Sequence, residues 1–144
     1  MKRVFLAGLG LALASLSTQA EEVNELSRTF AGPWEKEIGY AQTVQAGRHL
    51  YLAGLVGPGE TVETQLSNIY ERIVQILSTH GADTSHIVNE VIYTTDMAAL
   101  QEAISTRKAF FTLDRYPAAT WVEVSRLFEP GLKVEVQVTV YLPE

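Results

Sequence analysis

Valines at positions 134, 136, 138 and 140 alternate without interruption with Glu135, Gln137, Thr139 and Tyr141. A period of two places the valines on one side of an extended chain and the polar residues on the other. The segment 133–141 is therefore read as a β-strand with one dry and one wet face, in a sheet covered on a single side. Residues 118–124, rich in small, β-branched and aromatic side chains, read as a second strand, and the Glu129-Pro130-Gly131 turn signal between the two predicts a hairpin-like pair. In this partner strand Thr120, Val122 and Val124 share one side, and Ala119, Trp121, Glu123 and Ser125 the other. That mixed side reads as a solvated sheet face or, since a large ring is costly to expose, as an oligomer interface or pocket covering Trp121.

The upstream chain supplies the rest of the sheet. Residues 39–44 and 49–56 are expected to form a hairpin across Ala46-Gly47-Arg48, ending at Gly57-Pro58-Gly59. Val62, Leu66, Ile69, Tyr70, Ile73, Val74 and Leu77 recur at helical spacing, and Gly81 closes that helix. Residues 87–95 read as a strand. Asp96 is placed to cap a helix running to about residue 111, with Leu100, Ala103, Ile104 and Phe111 as its apolar stripe. The order ββαβαββ implies an α+β fold, one mixed sheet with two helices packed on one face. The face left bare predicts subunits packed sheet to sheet in a closed oligomer.

Residues 1–20 do not read as part of that domain. Lys2 and Arg3 precede an apolar run over residues 4–16, and Thr18-Gln19-Ala20 forms a small-residue end, the pattern of a secretory signal peptide cleaved after Ala20. The run is shorter than the roughly 20 residues a membrane span needs, so no membrane association is expected after cleavage, and the location is periplasmic or secreted. Residues 21–36, broken by Gly32-Pro33, read as an N-terminal arm, and residues 37–144 as one α+β domain. Without Lys2 and Arg3, nine basic residues face 17 acidic ones, a net charge of −8 that disfavours nucleic acid. The chain has no cysteine, hence no disulfide or thiol nucleophile. His49, His80 and His86 lack metal-ligand spacing, and Gly57-Pro58-Gly59 lacks the lysine of a phosphate loop, so neither metal nor cofactor is expected.

Gly39-Tyr40-Ala41-Gln42, Tyr51-Leu52-Ala53-Gly54, Asn68, His80-Gly81-Ala82, Val91-Ile92-Tyr93, Asp96, Phe110-Phe111, Pro117-Ala118, Val122-Glu123-Val124, Arg126-Leu127 and Val134-Glu135-Val136 follow in an order and spacing that resembles the Rid family, also called YjgF. The Gly32-Pro33-Trp34-Glu35 run ahead of Gly39-Tyr40 is similar to one branch of it. The resemblance implies a homotrimer of chorismate-mutase-like subunits with a small-molecule cleft at each subunit boundary. It also implies hydrolysis of enamines and imines derived from amino acids to 2-keto acids and ammonia. On this chain the water-handling acid falls on Glu135. The other cleft positions fall on Tyr40, Ala53, Gly54, Ile104, Ala119, Thr120 and Trp121.

The family's substrate-anchoring arginine is absent, its position being Ala119. A hydroxyl residue is replaced by Ala53 and a helix asparagine by Ile104. Losing a bidentate guanidinium contact costs roughly 1.5–3 kcal/mol, about ten- to a hundredfold in anchoring, which argues against standard 2-imino acid deamination. Arg126 is read as a structural ion-pair partner, with Glu123 a candidate for it, and Arg107 and Arg115 as surface charges. Two functions remain. One is an exported imine or enamine hydrolase of altered specificity, with Glu135 directing water; the other is a non-catalytic trimer that binds a small apolar or weakly polar molecule.

Overall fold

The computed structural model describes residues 26–144; the expected leader lies outside them. Strand β1 (Ser27–Thr29) is followed by helix α1 (Pro33–Ile38) and the hairpin of β2 (Thr43–Ala46) and β3 (His49–Leu52). Then come helix α2 (Val62–Ser78), strand β4 (Ile87–Thr94), helices α3 (Met97–Glu102) and α4 (Ile104–Lys108), and strands β5 (Ala118–Glu123) and β6 (Val134–Tyr141). The strands form one mixed sheet in the order β1-β2-β3-β6-β4-β5. Among the described residues no helix is long and apolar enough to cross a membrane.

The alternation in β6 does what its period requires. Val134, Val136, Val138 and Val140 are all buried, against Leu66, Ile69, Ile73 and Leu77 of α2 in one continuous core. Each such side chain contributes about 1.5–3 kcal/mol by leaving water. Helix α2 starts at Thr61, whose hydroxyl accepts from Thr64 N, and Gly81, at φ 67°, turns the chain just beyond its end.

Several expectations are corrected. Strands β5 and β6 are not a hairpin: β6 lies between β3 and β4, antiparallel to both, and β5 runs parallel to β4 at the sheet edge. Alternation fixes which face a residue takes and says nothing about which strand is its neighbour. The long connection over residues 124–133 carries the chain past β4 to the centre. The end of the arm expected over residues 21–36 is helical, opening α1 (Pro33–Ile38), with Pro33 in the first turn and Gly39 at φ 98° as its left-handed cap. The arm also adds β1 to the sheet. The single helix expected after Asp96 is two. Asp96 does cap α3, accepting from Ala99 N, but the chain breaks at Ala103, and Ile104 is left 38% exposed.

Register assigns the two faces of the sheet. Ile92 pairs with both Val136 and Trp121, and Glu90 with both Val138 and Ala119. Directly paired residues share a face, so Ala119 and Trp121 lie on the side covered by the helices, with the core valines. Trp121 packs against that core. It is not on the bare face, where sequence had placed it.

The bare face carries Tyr51 and Tyr141, which are exposed, with Glu135 and Tyr93 paired beside each other.

Candidate functional site

Glu135 sits at the β3 end of that bare face, where Leu55 and Val136 exchange backbone hydrogen bonds of 2.8 and 3.0 Å and bring Gly54 alongside. The two are so close that a β-carbon on Gly54 would lie 1.8 Å from Glu135 Oε1. Gly54 thus holds open the space the carboxylate fills. Burial raises the Glu135 carboxyl above the usual glutamate range, and no ion pair among the described residues involves it.

A cleft of about 420 Å³ opens over this carboxylate. Ala53, Gly54 and Val56 line it together with Trp34, Ile38 and Tyr40 from α1 and the turn after it. The 124–133 connection adds Phe128, Glu129 and Leu132. Trp34 is positioned locally. A β-carbon on Gly32 would lie 1.7 Å from its ring, so the ring folds back over the backbone only because residue 32 has no side chain. Helix α1 is tied down by buried Glu35, which accepts from Ala31 N at 2.6 Å, while the amides of Gly39 and Tyr40 close on the Glu35 carbonyl.

The structure therefore brings together Tyr40, Ala53, Gly54 and Glu135 of the residues expected at the site. Ile104, Ala119, Thr120 and Trp121 do not line this cleft within one chain. Ala119 and Trp121 project from the opposite face of the sheet to Glu135, and Thr120, paired with Val91, is on the bare face at its far edge. Sequence reasoning missed Trp34, Ile38, Phe128, Glu129 and Leu132 as lining. The signals available were the Pro33 to Gly39 helix punctuation and an apolar ring, Phe128, beside a charged turn.

Under the helices lies a second polar cluster. Arg107, read as a surface charge, is buried, its Nε and Nη2 each 2.8 Å from Oε1 of the fully buried Glu90. The Tyr70 hydroxyl donates to Glu90 Oε2. Burial, then the adjacent carboxylate, holds the Tyr70 phenol far above its usual range, so it stays a neutral donor. The Arg107 guanidinium lies 4.8 Å from the Phe111 ring centre and 5.6 Å from that of Trp121. Trp121 Nε1 is buried without an acceptor among the described residues. Glu123 does not pair with Arg126; its Oε2 accepts from Met97 N at 2.8 Å. Among the described residues no group of histidine, cysteine and acidic side chains is placed to hold a metal ion.

Comparison with known proteins places this fold. A YjgF-family protein from Mycobacterium tuberculosis superposes with a TM-score of 0.75 at 28% identity, over 82% of this chain and 100% of its own. A YjgF-family protein from Neisseria meningitidis does so with a TM-score of 0.75 at 28% identity, over 84% and 98%. A Thermotoga maritima protein shares the fold, with a TM-score of 0.67 at 21% identity over 82% of this chain and 92% of its own. No curated protein matches. The family described as Endoribonuclease L-PSP matches residues 34–142, which spans every element from α1 to β6 and all the cleft residues named above; the chain belongs to that family, the YjgF or Rid proteins.

Proposed function

We propose that this chain is an exported Rid-type hydrolase that removes ammonia from an imine or enamine, or a related small metabolite, in the cleft over Glu135. The observation that carries the reading is Glu135 itself: a half-buried carboxylate with raised proton affinity at the floor of a cleft of ligand size. A base of raised proton affinity accepts a proton from attacking water more readily than an exposed glutamate does. Water bonds to the imine carbon as the C=N pair moves to nitrogen, its proton passes to Glu135 and on to that nitrogen, and the carbon–nitrogen bond then breaks as the hydroxyl proton follows by the same route, giving a carbonyl compound and ammonia. Export rests on the residue 1–20 pattern alone. A trimer would bring a neighbour's surface to the cleft, and only across such a boundary would Ala119 or Trp121 approach another chain's Glu135. The family description names an endoribonuclease, but the net charge of −6 and the two carboxylates at the cleft disfavour RNA.

The test is ammonia release from freshly generated imines. The full chain is expected to hydrolyse 2-iminopropanoate slowly at best and a carboxylate-free imine faster, and Glu135→Gln is expected to lower the rate at least about a hundredfold, the lower end of the roughly 10²–10⁴ that general bases supply. Release no faster than background from every imine, or release unchanged by Glu135→Gln, refutes the hydrolase and leaves the non-catalytic binder. That second reading is favoured by one observation, the alanine at position 119.

A further inference from the structure

The charge around the cleft is one-sided. Glu129 and Glu135 line it, and among the described residues no lysine, arginine or histidine does. Three aromatic side chains share the wall, and all three keep much of their surface free: Trp34 is 48% exposed, Tyr40 39% and Phe128 79%. One guanidinium, Arg72, reaches only an adjoining cavity of about 100 Å³, which the buried Glu35 also lines. At Glu135 burial opposes the negative charge, and among the described residues no ion pair offsets it.

A partly desolvated carboxylate without a counter-charge attracts a cation and repels an anion. The faces of aromatic rings act in the same sense, because the π cloud is the negative part of the ring's quadrupole. Carboxylate and rings thus select the same ligand, a positive charge spread over a group with apolar surface. An α-carboxylate would have to sit against Glu129 and Glu135.

We propose that this cleft takes organic cations, protonated imines or alkylammonium groups carrying an apolar substituent, with Glu135 as counter-charge and Trp34, Tyr40 and Phe128 around the cationic group. The proposal rests on reading this cleft as the ligand site, and it names the substrate class of the hydrolase. The protonated imine is also the reactive form. Water oxygen bonds to the iminium carbon, the C=N pair moves to nitrogen and Glu135 takes the water proton. Glu135 then returns that proton to nitrogen, and as the C–N bond breaks it takes the remaining hydroxyl proton and passes it to the departing ammonia, so the products are a carbonyl compound and ammonium.

Calorimetric titration of the full chain with benzyltrimethylammonium, benzyl alcohol and phenylacetate separates the possibilities by charge at similar shape. The cation is expected to bind at least tenfold more tightly than the alcohol, and phenylacetate more weakly than either. Glu135→Gln is expected to cost the cation about tenfold and to leave the alcohol within twofold. Phenylacetate binding as tightly as the cation, or cation binding unchanged by Glu135→Gln, overturns the proposal. Cation selectivity without ammonia release from any imine upholds the ligand class and removes the hydrolase. Hydrolysis of 2-iminopropanoate as fast as of a carboxylate-free imine upholds the hydrolase and removes the ligand class.

Discussion

The carboxylate of Glu135 occupies space that any side chain on residue 54 would take, an added β-carbon lying only 1.8 Å from Oε1. Gly54→Ala is therefore expected to turn the carboxylate away from the cleft while leaving the core intact. Turnover or cation binding should fall at least about tenfold, or 1.4 kcal/mol, and urea unfolding should show a smaller loss of stability. A second expectation concerns pH. Because burial raises the Glu135 pKa in the folded state, the folded chain binds its proton more tightly than the unfolded one. The stability this contributes is present below the ordinary glutamate range and is lost as pH rises through the raised value. Glu135→Gln should accordingly raise the thermal midpoint at pH 7 by a few degrees or less, with the gain vanishing in acid, measured by melting across pH. At this scale Glu135 and its face were legible, because strict alternation leaves one register for a half-covered strand. Trp34 and Phe128 were not, because a lone ring in a loop carries no period. Arg107 misled for a related reason: its burial depends on Glu90, 17 residues away on another element.

Arg107 joins α4 to β4 and, through Tyr70, both to α2. Removing one member of such a buried pair leaves the other charge without compensation, while replacing both by apolar groups does not. Arg107→Met is expected to cost about 3–5 kcal/mol, and the double change Glu90→Met with Arg107→Met clearly less, each read from urea unfolding. A double variant no more stable than the single one contradicts this account. Elements with a strong internal signal were legible: the spacing of α2, the valines of β6, the cap at Asp96. The pairing of β5 was not. A turn signal between two strands suggests a hairpin, yet β5 is claimed by β4 through a parallel crossover that α3 and α4 make across the covered face. Trp121 changed faces with that misassignment, since the sequence offered no landmark to tie its side of β5 to the valine side of β6.

Across the whole molecule the two faces of the sheet differ. One holds the core under the helices; the other exposes Tyr51 at 47%, Tyr141 at 41% and Val122 at 38%. Such a face is a candidate for association between copies. Native mass measurement is expected to give three times the mass of one chain, and Tyr51→Glu to shift it toward the single-chain mass; a single-chain mass for the unaltered protein refutes the trimer. The fold class was legible because the periods of two and 3.6 residues are local, whereas strand order depends on contacts between distant segments. That order has a consequence for biogenesis. The strand at the middle of the sheet, β6, is the last of the described strands to be synthesised, so β1–β3 and β4–β5 stay separated until it arrives. A nascent chain lacking that keystone cannot close its sheet, so folding of the whole domain waits on the end of the described chain.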